Sequence, residues 1–285
     1  MTIAIIGTGN MGGAIAKGLI KSGNCNPDSI ICTAKTESTL EKLRMFDASL
    51  RLSLDNKEAA QEADIIILAV KPWLIGTVIE EIRPYIDLKR QLIVSVAAGI
   101  SLKELTHLLV TDYDQYEMER IVAEAEERAP RFPESFSEPI LFRVVPNTAA
   151  EVLQSVTFIA SRGATEEQTE LIRQLFSCIG YTMVVDEKLI PAGTSLASCG
   201  IAFAMRYIRA AMEGGVELGF RPSEAAKIVE HTVKGAAMLL LESNEHPEIE
   251  IDKVTTAGGI TIKGLNAMER AGFTNAVIEG LKASK

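Results

Sequence analysis

The chain is poor in the side chains that usually move protons or hold metals. Its 285 residues include three histidines, His107, His231 and His246, and none is placed for catalysis: two fall on helical stretches and the third precedes Pro247 in a loop. The four cysteines, Cys25, Cys32, Cys178 and Cys199, form no C-x-x-C pair, which removes a zinc or disulfide framework and leaves reduced thiols and no metal site. Basic residues are outnumbered, with a net charge of −9, so the clustered basic face that nucleic acid requires is missing. The longest apolar run, around "ADIIILAV", is far shorter than the ~20 residues of a membrane helix. "MTIAIIG" enters a strand without the basic segment of a signal peptide. These absences predict a soluble, cytoplasmic protein that binds neither nucleic acid nor membrane.

Hydrophobic residues make up 47% of the chain, enough for a full core. Through the first two-thirds, short Ile- and Val-rich runs ("TIAIIG", "SIICTA", "DIIILAV", "QLIVSVAAG", "ILFRVVPN", "SVTFIAS", "YTMVVD") alternate with amphipathic stretches such as Met11 to Ser22 and Ile75 to Arg83. Continuous apolar strands are expected where helices cover both faces of a parallel sheet. Beyond Glu187 no strand pattern remains. The expected fold is therefore α/β: a doubly wound sheet over 1–187, then an all-α domain over 188–285. An acidic insertion, about 111–139, interrupts the first domain. Nine acids against three arginines lie between Asp112 and Glu138, which reads as a solvated excursion, part helix and part loop.

"GTGNMG" places Gly7, Thr8, Gly9, Asn10, Met11 and Gly12 between a strand and a helix. The first glycine permits a tight turn, the second lets a pyrophosphate approach the backbone, and the third packs helix on strand. The free N–H groups of the helix then face phosphate. The end of the second strand, "CTAKTES", lacks the acid that bonds an NAD ribose. Thr33, Lys35 and Thr36 offer hydroxyls and one cation instead, which suits a 2′-phosphate, so NADP(H) is preferred over NAD(H), although a lysine there also suits an ordinary turn. Ala69, Val70, Lys71 and Pro72 ("AVKP"), Ala97 and Gly99 ("AAG") and "VPN" mark the same rim of the sheet, where ligands bind in open α/β folds.

A second glycine turn, "VTTAGGITIKGL", lies near the other end. Thr255 or Thr256, with the backbone N–H groups of Gly258, Gly259 and Ile260, can hold a carboxylate at a helix start, with Thr261 beside it as the candidate catalytic hydroxyl. The residues alone fit a plain capped helix equally well. An imine substrate suits this set. A protonated C=N is already electrophilic, so hydride transfer needs positioning and a hydroxyl more than a strong acid.

The sequence resembles pyrroline-5-carboxylate reductase over nearly its whole length, in "IGTGNMGGAIAKGL", "AVKP", "AAGIS", "VPNT", "GGVELGF", "GAAMLL", "EHPE" and above all "VTTAGGITIKGLNAMERAGF". The resemblance implies a Rossmann-type NADP-binding domain, a helical dimerisation and substrate-binding domain, and NADPH-dependent reduction of 1-pyrroline-5-carboxylate to proline. It implies that Thr256, Gly258 and Gly259 bind the substrate carboxylate and that Thr261 lies beside the ring nitrogen. It also implies that Asn56 contacts the adenosine ribose and that Glu245 lies near the site. Homodimers, assembled into larger rings, are implied as well. Ala257 replaces a family proline, and Cys199, Ile201 and Phe203 replace a serine, a proline and a tyrosine. These changes leave two alternatives: a reductase of another cyclic imine or carboxylate-bearing carbonyl, or a non-catalytic NADP-binding sensor. The stretch Ser195 to Val216, with Ile201, Phe203, Met205, Tyr207, Ile208 and Met212, is apolar nearly all round, which predicts burial in an intertwined dimer.

Overall fold

The computed structural model describes residues 1–110, 112–131 and 138–285. The chain forms two compact units, Met1–Gly193 and Thr194–Lys285, and the division falls a few residues beyond Glu187.

The first unit holds one sheet of eight strands: β1 (Ile3–Ile6), β2 (Ile30–Thr33), β3 (Arg51–Ser53), β4 (Ile65–Leu68), β5 (Leu92–Ser95), β6 (Ile140–Val145), β7 (Ser155–Arg162) and β8 (Gly180–Val184). Their order is β3-β2-β1-β4-β5-β6-β7-β8. Pairs from β3 to β6 are parallel, β6–β7 is antiparallel and β7–β8 parallel again. The helices are α1 (Asn10–Lys21), α2 (Glu37–Arg44), α3 (Asn56–Glu62), α4 (Ile75–Ile82), α5 (Leu102–Leu109), α6 (Tyr113–Ala125), α7 (Glu166–Ser177) and the short α8 (Ile190–Gly193).

Alternation explains the continuous apolar strands. Ile3 and Ile5 of β1 join one core, while Ala4 and Ile6 join the other; Ile65 and Ile67 of β4 divide from Ile66 and Leu68 in the same way. Each fully buried isoleucine contributes about 2 kcal/mol, so a strand buried on both faces gains from every residue. The antiparallel step follows from its connection. Only Pro146 to Gln154 separate β6 and β7, turning through Leu153 at φ 60°, too few residues for a parallel crossover. The edge strand β3 is absent from the sequence reading, because its three residues, one an exposed arginine, carry no periodic signal.

The acidic segment departs from a purely solvated excursion. Residue 111 and residues 132–137 of it lie outside the described residues. Helix α6 turns one face inward, with Tyr116 1% exposed and Ala123 likewise buried. Glu117 bonds Arg162 of β7 at 2.8 Å and Lys103 of α5 at 3.5 Å. The Tyr116 hydroxyl donates to Glu138 at 3.1 Å, and Arg120 pairs with the same carboxylate. Glu117 and Glu138 are therefore counter-charges within the fold, while Asp112, Asp114, Glu124, Glu126 and Glu127 stay exposed. Burial pushes the Glu117 carboxyl up, but Arg162 and Lys103 more than offset this and hold it below the ordinary glutamate range. A folded value below the unfolded one stabilises the α6 contact above that range and is lost as pH falls through it. Amide exchange in α6 should therefore accelerate relative to the sheet strands between neutral pH and about pH 3. Glu117→Gln should flatten that difference; an α6-to-sheet ratio independent of pH in the native protein would refute the clasp.

The second unit contains α9 (Gly200–Glu217), α10 (Pro222–Ser243), α11 (Pro247–Lys253), α12 (Ile260–Arg270) and α13 (Phe273–Ala283), with no strand among the described residues. Their ends follow local chemistry. Pro222 opens α10, Glu224 accepts from the Arg221 N–H at 3.0 Å, and Asn244 closes it at φ 53°. Yet of residues 194–285 only Ser195 and Ala225 are buried. Phe203, Met205 and Tyr207 of α9 are exposed by 37%, 62% and 43%. The helical run Glu187–Glu217, 31 residues at a mean hydropathy of 1.2 in its most apolar window, is long and apolar enough to cross a bilayer. The sequence reading put the longest apolar run at "ADIIILAV" and read the apolar stretch Ser195 to Val216 as a dimer helix, so it missed that this helix meets the length and hydropathy of a membrane span. The run passes through Thr194–Cys199, where six residues form a π-helical turn, and so begins earlier than the stretch Ser195 to Val216 read from the sequence.

Candidate active site

The β1–α1 turn is fixed to the end of β2. The Thr33 carbonyl accepts the Gly7 and Thr8 N–H groups at 3.1 and 2.9 Å and the Thr8 hydroxyl at 3.0 Å. Gly7 adopts φ +93°, and a Cβ there would lie 2.5 Å from Val70 Cγ1. A Cβ on Gly12 would lie 2.3 Å from the Gly7 carbonyl oxygen. A Cβ on Gly9 would meet nothing within 4 Å, so it would project into open space. Gly9 caps α1 without a side-chain bond, leaving the first N–H groups of the helix for an anion.

These groups border a cavity of about 500 Å3 at the carboxyl ends of the strands. Gly7, Thr8, Gly9, Asn10, Met11, Lys35, Ala69, Val70, Lys71, Pro72 and Ala97 all line it. Gly12 does not, because it packs α1 against the turn. Thr33 is fully buried and donates to Asn56 Oδ1 at 2.6 Å, while Asn56 donates to Glu81 at 3.0 Å, so both belong to a relay behind the crevice. The Thr36 hydroxyl bonds those of Ser38 and Thr39, and Gly99 turns at φ +78° outside the lining. Ala98, within "AAG", and Thr148, within "VPNT", also line the cavity, while Ala34, Thr39, Leu74 and Val96 line it but escaped the sequence reading. Most adjoin a motif residue, and Thr39, a turn further into α2, carried no signal.

The second turn is equally defined. The Thr255 hydroxyl donates to the Ile251 carbonyl at 2.8 Å, which leaves Thr256 as the hydroxyl facing the turn. Gly259 N–H closes the turn onto the Thr256 carbonyl at 3.0 Å, with Gly258 at φ +71°. A glycine is needed at Gly258, and Ala257 fills the preceding position, which favours proline. A Cβ on Gly259 would lie 2.5 Å from Thr256 Oγ1, so that hydroxyl rests against the Gly259 backbone. Gly259 caps α12 without a side-chain bond; Ile260 and Thr261 form its first turn.

Other candidate acid–base groups have structural partners. His107 packs edge-on against Tyr113 with centroids 4.6 Å apart, and His246 Nδ1 accepts the Glu248 N–H at 3.3 Å to cap α11. Burial pushes the Cys32 thiol up to about 12, so it is no thiolate near neutrality. The Glu245 N–H donates to Ser243 Oγ at 3.3 Å in the turn after α10.

A glycine-rich turn at the point where a 3-2-1-4-5-6 sheet reverses direction defines a Rossmann-type dinucleotide-binding domain, here continued by a helical unit. Residues 2–99 match the domain family described as NADP oxidoreductase, coenzyme F420-dependent, and residues 187–285 match that described as pyrroline-5-carboxylate reductase dimerisation. Over 99% of its length the chain is 36% identical to pyrroline-5-carboxylate reductase 1 of Dictyostelium discoideum and 33% identical to pyrroline-5-carboxylate reductase 2 of the same organism. It spans about half (48%) of the first relative's length and 90% of the second's. The fold also matches the crystal structure of Plasmodium falciparum pyrroline carboxylate reductase with NADP bound: the TM-score is 0.81 at 22% identity, covering 100% of this chain and 95% of that one. The chain belongs to the pyrroline-5-carboxylate reductase family.

Proposed function

We propose that this protein reduces 1-pyrroline-5-carboxylate to proline with NADPH, working in the cytoplasm as a homodimer. The observation that carries this reading is the pairing, in one chain, of a phosphate-binding crevice with a second anion-binding turn at Thr256–Thr261. Gly7 to Gly12 hold the pyrophosphate through backbone N–H groups, and no side chain occupies the space beside Gly9. Lys35, with Thr36 and Thr39 near it, supplies the cation and hydroxyls that favour a 2′-phosphate. The reduced dinucleotide supplies a hydride when bound. The Thr256 hydroxyl and the N–H groups of Gly258, Gly259 and Ile260 bind the substrate carboxylate. The Thr261 hydroxyl oxygen accepts a hydrogen bond from the protonated ring nitrogen. The protonated C=N gains the hydride at carbon, and its nitrogen keeps its proton as the product amine, so no strong acid is required.

The dimer reading rests on the matched dimerisation domain and on the exposed apolar helices of the second unit. The run Glu187–Glu217 carries an Arg209–Glu213 ion pair, 2.9 Å, which suits a protein partner better than lipid. Assembly of dimers into rings follows the family resemblance. Four free thiols fit a reducing compartment.

Thr261→Ala is expected to lower kcat by about 20-fold, the loss of one hydrogen bond to a charged nitrogen, while the Kd for NADPH stays native. Loss of reduced-nicotinamide absorbance with 1-pyrroline-5-carboxylate, under NADPH and then NADH, measures it. A variant as fast as the native protein would remove Thr261 from the reaction. Consumption of neither dinucleotide by the native protein would refute the assignment.

A further inference from the structure

Glu187 stands where the chain leaves the sheet for the helical unit. Its Oε1 accepts the Leu102 N–H at 2.8 Å and Arg143 Nη1 at 3.0 Å. Leu102 opens α5, directly after the loop from Ala97 to Ser101, of which Ala97 and Ala98 line the crevice. Arg143 lies on β6 with only 12% of its side chain exposed, and the half-buried Glu187 is its counter-charge. The local turn does not need this carboxylate. Asp186 already caps it, accepting the Lys188 N–H at 3.0 Å.

Further along, the chain is fastened again. Ile190 is fully buried in the core on one face of the sheet. A Cβ on Gly193 would lie 2.8 Å from the Phe158 ring, so the helix is in close contact there. The next residue begins the π-helical turn Thr194–Cys199, where the two compact units divide. Single π turns often mark functional sites within helices.

We propose that Glu187 is a positioning residue that transmits order from the rim of the dinucleotide crevice to the entry of the helical unit. When a dinucleotide orders Ala97–Ser101, the Leu102–Glu187 bond carries that order to residues 187–193 and confines motion to Thr194–Cys199. This rests on the dinucleotide site proposed above and extends it.

The test is hydrogen exchange of the full-length protein with and without NADPH. In the native protein NADPH should slow exchange at least about threefold in both 97–102 and 187–193. In Glu187→Ala the slowing at 97–102 should persist, that at 187–193 should vanish, and kcat should fall about tenfold with KM for NADPH within about twofold of native. Glu187→Gln, whose amide oxygen still accepts from Leu102, should restore at least about half of the response. Leu102→Pro tests the bond from its other end without stranding Arg143. Proline is tolerated at this first helical position, and Ser101 is already extended (φ −81°, ψ 160°). It too should abolish the response at 187–193.

Slowing at 97–102 alone in the native protein would overturn the inference. So would a native response at 187–193 in Glu187→Ala or Leu102→Pro, or a parallel loss at both segments with a raised KM for NADPH. Absence of slowing at 97–102 in the native protein would instead overturn the dinucleotide reading itself, and this inference with it.

Discussion

Gly12→Ala is expected to weaken NADPH binding by at least about 100-fold, because it displaces the phosphate loop itself. The new methyl would lie 2.3 Å from the Gly7 carbonyl oxygen and 3.0 Å from Ala69 Cβ. The first is backbone and the second has no rotamer, so neither can swing aside. Gly7 is also held at φ +93° against Val70. The strain therefore moves the whole turn, and with it the N–H groups aimed at the pyrophosphate. Such overpacking also costs about 1–3 kcal/mol of stability. Gly9→Ala separates the two effects. Its methyl meets no atom within 4 Å, so the melting temperature without ligand should fall only by the small cost of alanine at the cap of α1, less than in Gly12→Ala. It projects into the space a phosphate would occupy, so affinity should still fall. Fluorescence titration of NADPH together with melting curves reads both. A Gly9→Ala variant that binds normally would show that the phosphates lie elsewhere.

The contrast between those glycines shows why some of the site is legible in a sequence. A turn that must admit a pyrophosphate constrains residue type directly: Gly7, Gly9 and Gly12 have separate steric reasons, and the motif states all of them. Strands buried on both faces are equally plain, as with Ile3 to Ile6 and Ile65 to Leu68. Residues engaged by distant partners are not. Thr33 is read as cofactor-binding from its place at the end of the second strand and Asn56 from the family resemblance, yet their polar atoms bond each other and Glu81. From the residues alone Thr255 and Thr256 are equal candidates; the family resemblance points to Thr256, and the bond from the Thr255 hydroxyl to Ile251 agrees with it. The acidic segment misled most. Charge density reads as solvation, whereas Glu117 and Glu138 are counter-ions to Arg162 and Arg120, chosen by packing that no local pattern records.

The apolar helices of the second unit carry the other large expectation. Ala211→Glu should weaken self-association by at least about 1000-fold, giving a monomer at micromolar concentration. Ala211 lines a groove of about 510 Å3 with Phe203, Tyr207, Phe273 and Val277, and this groove has little polar lining besides Arg206. A unit with two buried residues among 194–285 has too little core to stand alone, so another surface must cover these side chains. If that surface is a second copy related by a two-fold axis, one substitution enters the interface twice. An unpaired buried carboxylate costs about 3–5 kcal/mol, and partial pairing with Arg206 would recover only part of it. Glutamate is also a good helix former, so α9 itself should persist. Met118→Glu supplies the control: that side chain, on α6 in the first unit, is 61% exposed and should leave the mass unchanged. Light scattering decides between the outcomes. A dimer that survives Ala211→Glu would place the interface on another face. Native protein that floats with lipid vesicles and is monomeric without them would give the run Glu187–Glu217 a membrane role in place of the dimer interface.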